Sequence, residues 1–289
     1  VIRLDAASVL LQWAAGGLFF LWFTTRRREV GIGYGWLMRG IFGMMAVGAA
    51  WIGFRFGTVP VREASSIAVG AAALVAFVVS FVRRKAGVSG HDAEHDRRTE
   101  RVAAMTGIER DGGDGAPRIG REFPPMLDLI APLVAVPGLV AAAVDAATHS
   151  GGSTAVSLLR TFAGAAFLGA VTDAMLLGHW YLVQPGLPRK HLNELVRALG
   201  FTWPLEVVAL LLPTGMVSVW TGAVDDGWKG TLGWFWAACA VTTIVLVFVT
   251  RAALRERYYS AVMAATGLLY LAILTAFGTD LVARAVLAG

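Results

Sequence analysis

Apolar runs of about twenty residues recur eight times along the chain, at roughly 6–25, 36–57, 64–82, 124–147, 155–182, 200–220, 231–250 and 258–284. About 20 mostly apolar residues are what an α-helix needs to cross the hydrocarbon core of a bilayer. Lipid offers no water to backbone N–H and C=O groups, so each run must satisfy its own hydrogen bonds as a helix. The runs predict an all-α, polytopic bundle with about eight transmembrane helices. Composition agrees. The chain is 56% hydrophobic and 16% charged, where soluble domains run at about 45–50% and 25%. Mean hydropathy is +0.63, and the 34 glycines suit helices that approach closely.

The first run, from Ala6 to Thr24, has its arginines, Arg26 to Arg28, after it and no A-x-A site ahead of them. A secretory leader carries its positive charge before the apolar stretch, so this run reads as a retained first helix.

Lys and Arg set the orientation. With the N-terminus placed outside, 19 of the 25 fall on the cytoplasmic side, in the loops after spans one, three, five and seven and at Arg39. The other six are Arg3, Arg55, Arg62, Arg160, Lys229 and Arg284. This matches the positive-inside rule throughout and puts both termini outside a cell inner (plasma) membrane. Trp22, Trp36, Trp180, Tyr181, Trp203, Trp220, Trp228, Trp234, Tyr258 and Tyr259 cluster near span ends, as interface anchors do. The formal charge of +5 and pI of about 9.8 are thus a topology signal, and nucleic acid is not an expected partner.

Three parts follow: a three-helix membrane part at 1–82, a charged cytoplasmic loop at 83–123, and a five-helix membrane part with kinked helices at 124–289. The loop reads as a short surface helix from Ala93 to Met105 and then a flexible Gly-rich stretch, and it is too short for a catalytic domain with its own core. It contains His91-Asp-Ala-Glu-His95, the H-x-x-E-H pattern of a class of zinc proteases. The large soluble fold of such enzymes has no room here and the neighbours form a solvated polar run, so no metal site is expected.

Other catalytic signatures are missing. The sequence has no G-x-x-x-x-G-K-S/T phosphate loop, G-x-G-x-x-G, H-E-x-x-H or G-x-S-x-G. The single cysteine, Cys239, excludes an internal disulfide, a C-x-x-C metal site and C-x-x-C-H haem attachment. No autonomous catalytic residue set emerges.

Ionisable groups inside apolar spans cost roughly 2.5–3.5 kcal/mol each at the helix centre and tend to mark pathways. The candidates are Asp128 and Asp145 in span four, Asp173 and His179 in span five, Glu206 in span six and Asp280 in span eight. Asp145 and Asp280 lie near outer ends and read as solvated. Asp128 and His179 lie near inner ends. Asp173 sits six residues, about 9 Å, inward of His179, and Glu206 sits about six residues into a span starting from the same side. These two carboxyls are expected at similar depth on neighbouring antiparallel helices, where they could share a proton. Pro132, Pro137, Pro204 and Pro213 fall in spans four and six, and each frees a carbonyl one turn earlier. Irregular backbone of this kind survives in lipid only where protein or water supplies a partner, and broken helices line sites in transporters.

Haem held by two histidines of this chain is not expected, because His149 and His179 fall on opposite sides of the membrane. A quinone asks for less: a kinked apolar cleft and one or two polar groups, such as His179 with Glu206. The reading is an auxiliary or quinone-facing membrane subunit of a larger, respiratory-type complex. In it Asp173 and Glu206 handle protons, His179 relays, and the 83–123 loop meets other membrane subunits. The alternatives are a proton-coupled secondary transporter and a purely structural subunit.

Overall fold

Each apolar run becomes a helix because its backbone has no other partner in lipid. The computed structural model describes residues 4–89, 120–184, 186–256 and 258–287, and among these no strand occurs. The helices are α1 (Ala6–Thr25), α2 (Ile32–Phe56), α3 (Pro60–Val82), α4 (Ile130–Ser150), α5 (Thr154–Trp180), α6 (Lys190–Leu211), the short α7 (Val217–Trp220), α8 (Thr231–Ala253) and α9 (Tyr259–Leu287). A 3₁₀ stretch, Pro125–Leu129, leads into α4. Seven of these helices, α1 to α5, α8 and α9, are long and apolar enough to cross a membrane. This is a multi-pass membrane protein.

Local chemistry sets several helix ends. The Asp5 carboxylate accepts the Ser8 N–H at the start of α1, one of the donors every helix N-terminus leaves over. Pro60 opens α3 at a position that needs no N–H. Gly151, at φ +64°, closes α4 in a left-handed conformation that suits glycine.

α6 is antiparallel to α5. Arg160, near the start of α5, reaches the Leu212 carbonyl just past the end of α6. At the other end, the Tyr181 hydroxyl donates to the Pro188 carbonyl. The sequence pattern places this span at 200–220, whereas the helix occupies 190–211. The shift has a plain cause: Lys190, His191, Asn193, Glu194 and Arg197 make the first turns polar, so they fall outside any apolar window. The later turns still expose Phe201, Leu205 and Val208, the outward apolar face of a helix in lipid.

The bundle has two chemically distinct ends. At the basic end the connections meet through charge: Arg27 to Glu194 at 2.6 Å, Arg28 to Glu122 at 3.1 Å, and Glu29 to both Lys190 and His191 at 2.7 Å. Arg189 donates to the carbonyls of Glu256 and Tyr258. At the far end, Arg62 holds Asp5 at 2.6 Å, and the last turns of α9 pack through Ala283 and Val286 against Val219 and Trp236. The first and last described helices therefore begin and finish at the same end.

One apolar core runs through helices on both sides of the 83–123 loop, so the three-helix and five-helix parts pack together. α1 lies against α5 so closely that a Cβ on Gly16 would stand 1.8 Å from the Ala165 carbonyl oxygen, and one on Gly169 would stand 2.3 Å from the Gly16 carbonyl carbon. Without a hydrophobic drive between helices in lipid, backbone contact of this kind holds them together.

Two of the four prolines lie inside helices, Pro137 in α4 and Pro204 in α6. The other two differ from the expected kinks. Pro132 falls in the first turn of α4, where no intrahelical N–H bond is lost. Pro213 follows α6 and ends it.

Candidate functional site

Pro213 has no N–H, so the carbonyl of Ala209, one turn earlier, loses its helical partner. Arg160 of α5 replaces it: Nε donates to the Ala209 carbonyl at 3.1 Å and Nη2 to that of Leu212 at 2.6 Å. The guanidinium closes the end of α6 and becomes the edge of a buried polar cluster.

Four helices build that cluster. Asp280 and Arg284 lie one turn apart on α9, with Arg284 Nε donating to Asp280 Oδ1 at 2.7 Å. Arg284 Nη2 reaches back to the Arg160 carbonyl at 2.7 Å. Gln12 of α1 offers its Nε2 to Asp280 Oδ1 at 3.5 Å. Glu206 of α6 faces Asp280, with both arginines close enough to act on its charge. Space comes from Gly164 on α5: a Cβ there would stand 2.3 Å from Gln12 Nε2, 2.4 Å from Arg284 Nη2 and 2.6 Å from Asp280 Oδ1.

Glu206 and Asp280 are both 0% exposed. Neither oxygen of Glu206 meets a hydrogen-bond donor, nor does Asp280 Oδ2. Buried carboxylate oxygens without donors are costly. Two ionised carboxylates can only accept, so the contact between them becomes a hydrogen bond when one carries a proton. The arrangement can thus hold one proton between two acids. With two arginines present, losing it would take the cluster from one net positive charge to zero.

The other expected residues have different settings. Asp173 is also 0% exposed, but its partner is Tyr34 of α2, whose hydroxyl lies 3.4 Å from Oδ1; Oδ2 has no partner. Asp173 and Glu206 are not brought together. Asp173 lies seven residues, about 10 Å, from the basic end of α5, while Glu206 lies sixteen residues, about 24 Å, from the start of α6. The mismatch follows from the true start of that helix at Lys190.

Asp128 is fully engaged. Arg39 grips both its oxygens at 2.7 Å and also donates to Ser80 Oγ at 3.0 Å. Phe123 stacks 4.2 Å from the guanidinium. This pair ties α2 to the segment entering α4 and gives each carboxylate oxygen a charged donor. Next to it, a small cleft of about 40 Å³ opens at the basic end between Arg28, Gly31, Arg39, Glu122 and Phe123. Its charged walls already pair with Asp128 or with each other.

His179 is on the exposed surface of α5, with Nδ1 3.3 Å from the Tyr270 hydroxyl. No group of three or more metal-ligating side chains occurs among the described residues, and the His91–His95 motif lies outside them, as does the helix expected from Ala93 to Met105.

Asp280 is the clearest correction, because it was expected to be solvated. α9 continues to Leu287 and Arg284 covers the carboxylate. The i, i+4 pairing of Asp280 with Arg284 was the available signal. Gln12 gave none, being one amide in an apolar run. Compared with family models, curated proteins and solved structures, the chain finds no match.

Proposed function

We propose that this chain is a proton-handling, quinone-facing auxiliary subunit of a larger, respiratory-type complex in the cell inner membrane. In this reading it crosses eight times with both termini outside, α6 being the eighth crossing, and its basic end with the 83–123 loop meets partner subunits. One observation carries it: Glu206, fully buried, has both oxygens free of donors and faces a second buried acid. Ionisable groups placed so deep in a membrane bundle face the interior and mark proton or ion pathways. The His179–Tyr270 pair adds a polar point on a surface that otherwise suits lipid, where a quinone headgroup could be met.

Gentle detergent extraction from native membranes tests the reading. The account expects redox subunits or quinone to co-purify in stoichiometric amount, and Glu206→Gln to impair the complex's proton chemistry while assembly persists. A lone, quinone-free chain would contradict it. That outcome would favour a proton-coupled secondary transporter, a reading to which the end of α6 beside the acid pair lends support. Proton-driven uptake into vesicles would then stop in the same variant.

A further inference from the structure

Asp173 is not part of the Glu206 cluster, yet it shares the property that singles Glu206 out. It is completely buried, and Oδ2 meets no donor. The Tyr34 hydroxyl lies 3.4 Å from Oδ1 and from the Asp173 carbonyl. Among the described residues no cation is paired with it, which sets it apart from Asp128, Glu63 and Asp280. A lone buried carboxylate without a counter-ion is strongly disfavoured, and such a group takes up a proton instead.

The surroundings give this acid a direction. Tyr34 is in the first turn of α2, which starts at the basic end. Trp180, the last residue of α5, packs beside the Tyr34 ring, tilted by 58° with centroids 5.9 Å apart. Its indole N–H is held by Gln184 Oε1 at 3.1 Å, and the same oxygen accepts the Gly31 N–H at 2.9 Å. Toward the far end, at the next turn of α5, Gly169 packs directly on the backbone of Gly16, where a Cβ would stand 2.3 Å from the Gly16 carbonyl carbon. The helix packed across from Asp173 on that side, α1, presents Trp13, whose indole N–H donates to Thr172 Oγ1 at 2.8 Å.

We propose that Asp173 and Tyr34 form a second proton-binding site, loaded from the basic end past Trp180 and sealed from the Glu206–Asp280 pair by the Gly16–Gly169 crossing. Its place in a proton-handling cycle rests on the reading above; its occupancy by a proton does not. The two sites then serve the two ends of the bundle without an open path between them, which a coupled protein requires if it is not to leak protons.

Infrared spectroscopy on the whole chain in proteoliposomes tests this through the C=O stretch of protonated carboxylic acids, followed during exchange from H₂O into D₂O. Asp173→Asn should remove one such band and leave that of the Glu206–Asp280 pair in place. Tyr34→Phe should shift the Asp173 band alone, and serves if Asp173→Asn does not fold. Trp180→Ala should speed deuterium exchange of the Asp173 band several-fold without altering the other. An unchanged spectrum in Asp173→Asn would overturn the site. Equal acceleration of both bands by Trp180→Ala would overturn the seal. A missing Glu206 band with the Asp173 band intact would instead count against the function proposed above and leave this site standing.

Discussion

Gly164 shows how much a single absent methyl group can decide. The Gln12 amide, the Arg284 guanidinium and the Asp280 carboxylate all converge within 2.6 Å of where its Cβ would stand. None is the end of a side chain free to swing into solvent, because Arg284 is tied to Asp280 and to the Arg160 carbonyl. Gly164→Val must therefore push the cluster apart. Overpacking alone costs about 1–3 kcal/mol, and separating the buried ion pair adds to it. Thermal unfolding in detergent should show a clear loss of stability in Gly164→Val and a smaller one in Gly164→Ala; a valine variant as stable as the parent would contradict the packing described. The same cluster shows what was readable from residues alone. Glu206 stood out as an acid inside an apolar run, while its real partners were hidden because facing depends on helix rotation and start, which composition does not report.

At the scale of elements, α6 is where sequence and structure diverge most. Its polar first turns are helical because they are anchored at the basic end, chiefly by Glu29 from the α1–α2 connection. Burial on its own would raise the pKa of the Glu29 carboxyl, but hydrogen bonds from Lys190 and His191 outweigh it and hold the group below the usual value. A depressed carboxylate stabilises the fold fully above the unfolded pKa of about 4.3 and loses that contribution as pH falls through the folded value. Thermal unfolding followed from neutral pH downward should therefore show wild type losing stability from about pH 4. Glu29→Gln should start lower at neutral pH and fall less steeply in acid. Identical acid slopes for the two proteins would remove Glu29 as the anchor. The other helices were legible to within a few residues, since long apolar runs bounded by glycine, proline or arginine leave little choice of boundary.

For the whole molecule, the chain is inverted relative to a soluble protein. Large apolar side chains such as Met44, Trp51, Leu74, Trp234 and Leu274 face outward, while Arg39, Asp128, Asp173, Glu206 and Asp280 are buried. The outward apolar surface was visible in the eight apolar runs, whereas the burial of Asp280 was not. The grouping of acids was not visible either, because it arises from how the helices rotate against one another. The account's central claim is that Glu206 and Asp280 hold a proton between them inside the bundle. Infrared spectroscopy of the purified chain at neutral pH, with Glu206→Gln and Asp280→Asn compared with wild type, tests it most directly. The account predicts a protonated carboxylic C=O band in wild type that is lost in Glu206→Gln and shifted or lost in Asp280→Asn. A wild-type spectrum with no band sensitive to either substitution would show both acids ionised and would contradict it.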